Sequence, residues 1–473
     1  MIRNSLPIIL TIIFLAGCTL GPKYTKPQAP IPVDWPTGAA YRETKTATGA
    51  PTAPELKWWE FFTDERLQKI IETALDNNRD LRLAALNVER ARAFYGIQRA
   101  ELLPTLNVVG SGSKERVPYD LSETGKAMTR ERYSVDLGIL SWEIDFFGRI
   151  RSLKDRALEE YLATEQARRG TQILLVSAVA NTYLTLTAVR EHLKLSESTL
   201  ETQEAAYNLI RRRYEVGLAS ELDLRRAQTQ VDSARGDMAR FTQLVAQDEN
   251  ALNLLVGSSV PSEFLPVDLD SVSPPKEISP GMSSEVLLRR PDIMAAEHQL
   301  KAANAFIGAA RAAFFPRISL TTAVGTASQE LSGLFKSGSG TWSFIPQMVM
   351  PIFDARTWAA LKASKADREI TLAQYEKAIQ TAFREVADAL AVQGTVDVQL
   401  SAQQSLVNAV AETYRLSNAR YTKGIDSYLG VLDAQRSLYA AQQGLIALRL
   451  ASLTNRVTLY KVLGGGDLAS GPS

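Results

Sequence analysis

Gly96-Ile97-Gln98-Arg99-Ala100-Glu101-Leu102-Leu103-Pro104 returns later in the chain as Gly308-Ala309-Ala310-Arg311-Ala312-Ala313-Phe314-Phe315-Pro316, an offset of 316 − 104 = 212. Further along, Arg213-Tyr214-Glu215-Val216-Gly217 returns as Arg420-Tyr421-Thr422-Lys423-Gly424, and Leu255-Val256-Gly257 as Val462-Leu463-Gly464, both at 424 − 217 = 464 − 257 = 207. Landmarks kept in one order, with a slip of 212 − 207 = 5 residues, mark one structural unit used twice.

Outward from these landmarks, each copy reads the same way. Asp64, followed by Leu67, Ile70, Ile71, Ala74 and Leu75, is an N-cap before an apolar stripe at helical spacing. Asn77-Asn78-Arg79-Asp80 interrupts that helix, and a second runs from about Leu81 to Leu102, where Pro104 stops it. The period then changes to two: strands are predicted at about 105–115 and 133–146, and in the second copy at about 317–326 and 341–353. Polar loops near 117–130 and 327–341 join each pair. Pro346 and Pro351 weaken the last strand, because proline donates nothing to a ladder. From Arg149 to Arg213 and from Arg356 to Arg420 no proline occurs and Ala, Leu, Gln, Glu and Arg dominate. About 65 residues of helix at 1.5 Å each reach roughly 100 Å. Each returns, after Gly217 or Gly424, as a second helix over 221–256 or 427–463, so each copy holds a long helical hairpin.

The organisation is therefore a leader over 1–17, an extended tether rich in Pro, Thr and Ala over 18–60, a first repeat over 61–257, a Pro-rich linker over 258–282, a second repeat over 283–464 and a tail over 465–473. In the leader, Arg3 precedes an apolar run from Leu6 to Leu15 that is too short to span a bilayer, then Leu15-Ala16-Gly17-Cys18. This segment resembles a bacterial lipoprotein signal, which implies lipidation of Cys18 as the mature N-terminus and anchoring by acyl chains. Residue 19 is Thr rather than Asp, so the inner-membrane retention signal of such lipoproteins is absent.

A net charge of +1 in 473 residues gives no electrostatic reason to bind nucleic acid. One Cys excludes a disulfide framework, and His192 and His298 have no ligand-spaced companion. No nucleophile, base or phosphate-loop constellation is present, so no enzyme activity and no cofactor are expected. Four strands per chain form an open sheet, whose bare edges are forbidden in lipid. Closure then has to come from oligomerisation, a dimer giving eight strands and a trimer twelve.

Signal, duplicated strand-strand-hairpin halves, twin Arg-Tyr-x-x-Gly turns, Leu432-Asp433-Ala434-Gln435-Arg436 and Gly464-Gly465-Gly466 together resemble the outer-membrane factors of tripartite efflux systems, the OprM-like lipoprotein branch of the TolC group. The resemblance covers essentially the whole chain. It implies an α+β membrane protein: a homotrimer with a twelve-strand transmembrane β-barrel, four strands per chain, continued by a long periplasmic α-helical barrel. It further implies outer-membrane lipid around the barrel, a periplasmic adaptor and an inner-membrane pump of the RND type as partners, and passive exit of small toxic compounds. Protein secretion of type I, metal-ion efflux and a non-channel lipoprotein scaffold are the alternatives.

In a duct without bond chemistry, function lies with residues that close the bore and those that let a partner open it. The resemblance places a constriction at the second hairpin turn, where the matching residues are Arg420, Tyr421, Leu429, Asp433 and Arg436. It places adaptor docking at both turns, at Arg213, Tyr214, Gly217, Ser220, Gly424 and Ser427. Asp433 and Arg436, three apart, share a helix face, and the ordinary alternative is a solvated ion pair between them. The position matching Asp433 in the first turn is Arg226, so the two turns are not electrostatically equivalent.

Overall fold

The computed structural model describes residues 19–41, 56–280 and 283–466. Cys18 lies outside them. Each copy of the repeat supplies helices, a strand pair and a helical hairpin. The first comprises α1 (Trp58–Phe61), α2 (Glu65–Asn77), α3 (Arg79–Ala100), β1 (Leu106–Val117), β2 (Met128–Ile144), α4 (Arg149–Glu215) and α5 (Glu221–Val256). The second comprises α6 (Pro291–Ala312), β3 (Arg317–Ser328), β4 (Gly340–Val349), α7 (Ala355–Thr422) and α8 (Tyr428–Val462). The chain forms two compact units. One combines the described parts of residues 1–28, 87–165 and 295–375, and the other the described parts of 29–86, 166–294 and 376–473.

The first unit holds the antiparallel sheet, ordered β1-β2-β3-β4, so that β1 and β4 are its edges. Its two faces differ in chemistry. Leu106, Val108, Leu137, Ile139, Leu320, Val324, Trp342, Phe344 and Met348 share one face by register, and Asn107, Asp136, Ser134, Ser319, Ser343 and Gln347 share the other. A bulge keeps this separation. Between Ile139 and Trp142 the second strand carries one residue more than its partner, with Ser141 at φ 53°, and the shift returns Trp142 and Ile144 to the apolar face opposite Leu320 and Ile318.

One strand boundary differs from the sequence reading, and one proline that weakened a strand there is accommodated, each for a physical reason. The β1–β2 hairpin climbs beyond the alternating apolar stretch, β2 starting at Met128, because Lys114 and Glu131 face each other and their side chains pair at 2.5 Å. Pro346 sits inside β4 opposite Leu320. That strand is an edge, where a missing N–H is tolerated.

Residues 19–26 run along α6 in the opposite direction. Arg311 donates to the Leu20 carbonyl at 3.0 Å, Asn304 to the Pro22 carbonyl at 2.8 Å, and Glu297 accepts from both Lys26 and Lys301 at 2.9 Å. The approach is close enough that a Cβ on Gly308 would stand 2.9 Å from the Gly21 Cα. Residues 19–26 of the expected tether are thus fixed by two backbone carbonyls, which any sequence offers, and by the Lys26 ion pair, all received by side chains of the helix.

The second unit has a conventional core. Asp64 accepts from the Leu67 amide at 3.0 Å, capping α2, whose Leu67, Ile70, Ile71 and Ala74 are buried. Phe61 stacks on Tyr460 with ring centroids 4.3 Å apart. The most apolar stretch of α4 would span a membrane by length and composition. Val176, Val179, Ala180, Tyr183 and Leu186 within α4 are buried instead, so this hydropathy belongs to the protein core.

Candidate functional site

Both hairpin turns lie in the second unit and are built on the same backbone device. After α4, Gly217 has φ 78° and its amide donates to the Tyr214 carbonyl at 2.9 Å, while Leu218 donates to Arg213 at 2.7 Å. After α7, Gly424 has φ 72° and donates to Tyr421 at 2.9 Å, while Ile425 donates to Arg420 at 3.0 Å. This pair of bonds, one spanning three residues and one spanning five, is the Schellman motif, and it explains the spacing Arg-Tyr-x-x-Gly. Arg and Tyr supply the last orphan carbonyls, and only glycine reaches the left-handed conformation without strain.

The side chains on this shared backbone differ. At the start of α5, Ser220 accepts from the Asp223 amide at 3.1 Å, and its hydroxyl donates to the Asp223 carboxylate at 2.7 Å. Ser427, its counterpart before α8, makes no side-chain cap. Arg213 lays its guanidinium over the Tyr421 ring, 5.2 Å from the centroid. Arg420 turns instead to Asp426, with both nitrogens of the fork engaged at 2.5 and 3.0 Å. That hydrogen bond holds the Asp426 carboxyl below its ordinary value.

Beneath the turns the two hairpins share a small apolar core. Ile210, Ala227, Tyr428, Val431 and Leu432 are its buried members, with Tyr207, Leu224, Tyr414 and Tyr421 packed against them. Tyr421 and Tyr428 are 5.2 Å apart and tilted at 52°. The Tyr428 hydroxyl is buried with no partner among the described residues, and burial, followed by the nearby Tyr421, pushes its pKa up to about 12. The sequence reading missed Tyr428, whose only signal is that the first copy has Glu221 at that place, 428 − 207 = 221.

Of the predicted gate residues, Leu429, Asp433 and Arg436 fall on one exposed face of α8, while Val431, Leu432, Ala434 and Gln435 are buried. Asp433 and Arg436 do not pair. Arg436 reaches across to the first hairpin, donating to the Gln230 side chain at 3.1 Å, and the Asp433 carboxylate has no partner among the described residues. Leu429 is 42 % exposed. Arg420 is brought to its own turn rather than to a neighbouring helix, and Tyr421 is the residue that contacts both hairpins.

The sequence profile of the outer membrane efflux protein family matches residues 70–258 and again 282–465. The chain belongs to this family. It is 51% identical over 470 residues to the toluene efflux pump outer membrane protein TtgC of Pseudomonas putida, covering 98% of this chain and 96% of that protein. It is 42% identical over 462 residues to the outer membrane protein OprJ of Pseudomonas aeruginosa, covering 97% and 95%. Among solved structures it is similar to a membrane protein from Pseudomonas aeruginosa, with 41% identity, a TM-score of 0.88 and coverage of 96% and 99%. It is also similar to the open state of the MtrE outer membrane channel of Neisseria gonorrhoeae, with 38% identity, a TM-score of 0.84 and coverage of 95% and 98%. An outer-membrane efflux protein accounts for the sheet with one apolar face and for the long hairpins alike.

Proposed function

We propose that three copies of this chain close their sheets into a twelve-strand barrel in the outer membrane, and that the resulting duct releases small toxic organic compounds from the cell. The observation that carries this reading is the sheet itself. It has an apolar face, a polar face and two unpaired edges, β1 and β4. Unpaired strands in lipid leave backbone groups unsatisfied at several kcal/mol each, so β1 of one copy pairs with β4 of the next. Three copies are favoured over two because eight strands enclose little more than side chains, whereas twelve leave a lumen. Names of relatives that refer to toluene and antibiotics support organic compounds as the cargo.

An inner-membrane pump of the RND type and a periplasmic adaptor supply energy and cargo, the adaptor meeting the Arg213–Ser220 and Arg420–Ser427 turns. Lipidation of Cys18 fastens the N-terminal tether to the membrane. Leu429 and Asp433, exposed on one face of α8, narrow the periplasmic mouth, and the unpaired carboxylate of Asp433 supports this reading. Three such carboxylates about 6 Å apart, at an effective dielectric near 20, repel by roughly 3 kcal/mol per pair, so the closed mouth is held under electrostatic tension. Planar-bilayer recording of the purified protein tests the duct, and electron microscopy of the same sample tests the threefold symmetry. A sample that is monomeric and conducts nothing would refute both.

A further inference from the structure

The β1–β2 hairpin outruns the apolar face of the sheet, and the side chains there are charged. Counted from Ile318, Ile144 and Met348, this face reaches the aromatic Tyr133 of β2 after 328 − 318 = 10 residues of β3, whose own apolar side chains give way to the hydroxyls of Thr326 and Ser328 over the last two rungs. At about 3.4 Å per residue and a tilt near 40°, this climbs roughly 25 Å, the height of the apolar band on outer-membrane barrels. The next two positions on the same face of β1 are Lys114, opposite Glu131, and Arg116, opposite Thr129. The register between β1 and β2 runs without a shift from Leu106 to Val117, so both cations stay on the face that carries Leu106 and Val108. They stand about 5 and 10 Å beyond the band, at the level of lipid headgroups.

The local contacts fix one cation and leave the other free. Tyr133 donates to Glu131 at 3.1 Å, and Glu131 pairs with Lys114 at 2.5 Å, so the Lys114 ammonium is held at the rim with donors to spare. Arg116 has no side-chain partner among the described residues. The other charges that β1 and β2 carry at this end, Glu115, Arg130 and Arg132, belong by register to the opposite face, and Arg130 leans to Glu123 of the hairpin loop at 3.5 Å. A guanidinium fork beside an ammonium, just above an apolar band and an aromatic residue, matches the chemistry of a lipid phosphate.

We propose that Lys114 and Arg116 bind a phosphate group of the lipid surrounding the barrel, with Glu131 positioning Lys114. The site rests on the reading of the sheet as part of a membrane barrel. Native mass spectrometry of the full-length protein, with bisphosphorylated lipid A and its enzymatically dephosphorylated form as probes, measures it. Each of Lys114→Ala and Arg116→Ala should weaken retention of the phosphorylated lipid about fivefold, the value of one basic residue at a membrane surface. Glu131→Gln, which keeps an acceptor for Lys114 and removes the charge that repels the phosphate, should raise retention, whereas Glu131→Ala, which releases Lys114, should lower it. Equal retention of the dephosphorylated lipid, or retention unchanged in both Lys114→Ala and Arg116→Ala, would overturn the site. Competition by inorganic phosphate at equal molar concentration would reassign it to free anions and overturn the lipid. Planar-bilayer conductance of the wild type separates the two readings: a protein that conducts but binds both lipids alike loses only this site, and one that never enters the bilayer loses the barrel as well.

Discussion

At the end of α4, Arg213 covers the Tyr421 ring; at the equivalent place at the end of α7, Arg420 grips Asp426. The backbones beneath are the same, with glycine at φ 78° in one turn and 72° in the other. One difference is an acid: the position matching Asp426 is Ala219, 426 − 207 = 219, and the carboxylate the first turn does hold, Glu215, lies toward Arg211 at 3.7 Å, so Arg213 goes to the neighbouring hairpin. The first turn therefore binds the second, while the second binds itself. A duplicated unit can keep its fold and divide its labour through a few side chains, and the reversal from Arg226 to Asp433 belongs to the same divergence.

The largest effect that tests this division is on conductance. Replacing Leu429 and Asp433 together by Ala should raise the single-channel conductance of the closed duct severalfold if, as proposed, they form an apolar plug and a charged ring at its mouth. Replacing the equivalent Leu222 and Arg226 by Ala should leave it near the wild-type level. Equal increases in both variants would erase the distinction between the turns and move the constriction to a level that both hairpins line.

Next in size is Tyr428, buried in the core between the hairpins, against Glu221 at the matching place in the first copy. Tyr428→Ala should destabilise the tip by about 3 kcal/mol, the usual cost of deleting a buried aromatic ring. Glu221→Ala should cost far less, since its carboxylate makes only an exposed pair with Arg225 at 3.3 Å. Denaturant titration, followed by hydrogen exchange of the turn amides, reads both. Gly217→Ala and Gly424→Ala are the control on the shared backbone. Each should cost about 1 to 2 kcal/mol for an L-residue in the left-handed region, and the two should be alike. Unequal costs would mean that the turns already differ in the backbone.

These contrasts also show what the amino-acid pattern carries and what it does not. The four strands, the two hairpins and the glycine turns are legible because each is a local matter of period, proline and φ. The sheet's extra length at Lys114 and Glu131 is not, since a cross-strand ion pair depends on register between segments 131 − 114 = 17 residues apart. The bulge at Ser141 is hidden for the same reason. At the tip, the exposed face of Leu429, Asp433 and Arg436 follows from helical spacing, whereas the partners of Arg436, Arg213 and Arg420 do not. Gln230 and Arg436 are 206 residues apart, and only the packing of one hairpin on the other brings them together.

The smallest expected effect is also the most selective. The Arg420 hydrogen bond holds Asp426 below its ordinary carboxylate value, so the pair's contribution is fully present above about pH 4 and is lost as pH falls through the depressed folded value. Acid should therefore loosen the second turn more than the first, where no carboxylate grips Arg213, though Asp223, bonded to Ser220, and Glu215, beside Arg211, can be protonated. The ratio of hydrogen-exchange rates at the Gly424 and Gly217 amides reads this, as the intrinsic pH dependence of exchange largely cancels between like glycines. Ala219→Asp should remove the difference: Arg213 gains a carboxylate at the distance Arg420 now enjoys, leaves the Tyr421 ring, and makes the first turn as acid-sensitive as the second. If the ratio in this variant stays as in the wild type, Arg213 is held by the aromatic ring more firmly than by a carboxylate, and the tie between the hairpins, rather than the acid within the turn, is what distinguishes the two copies.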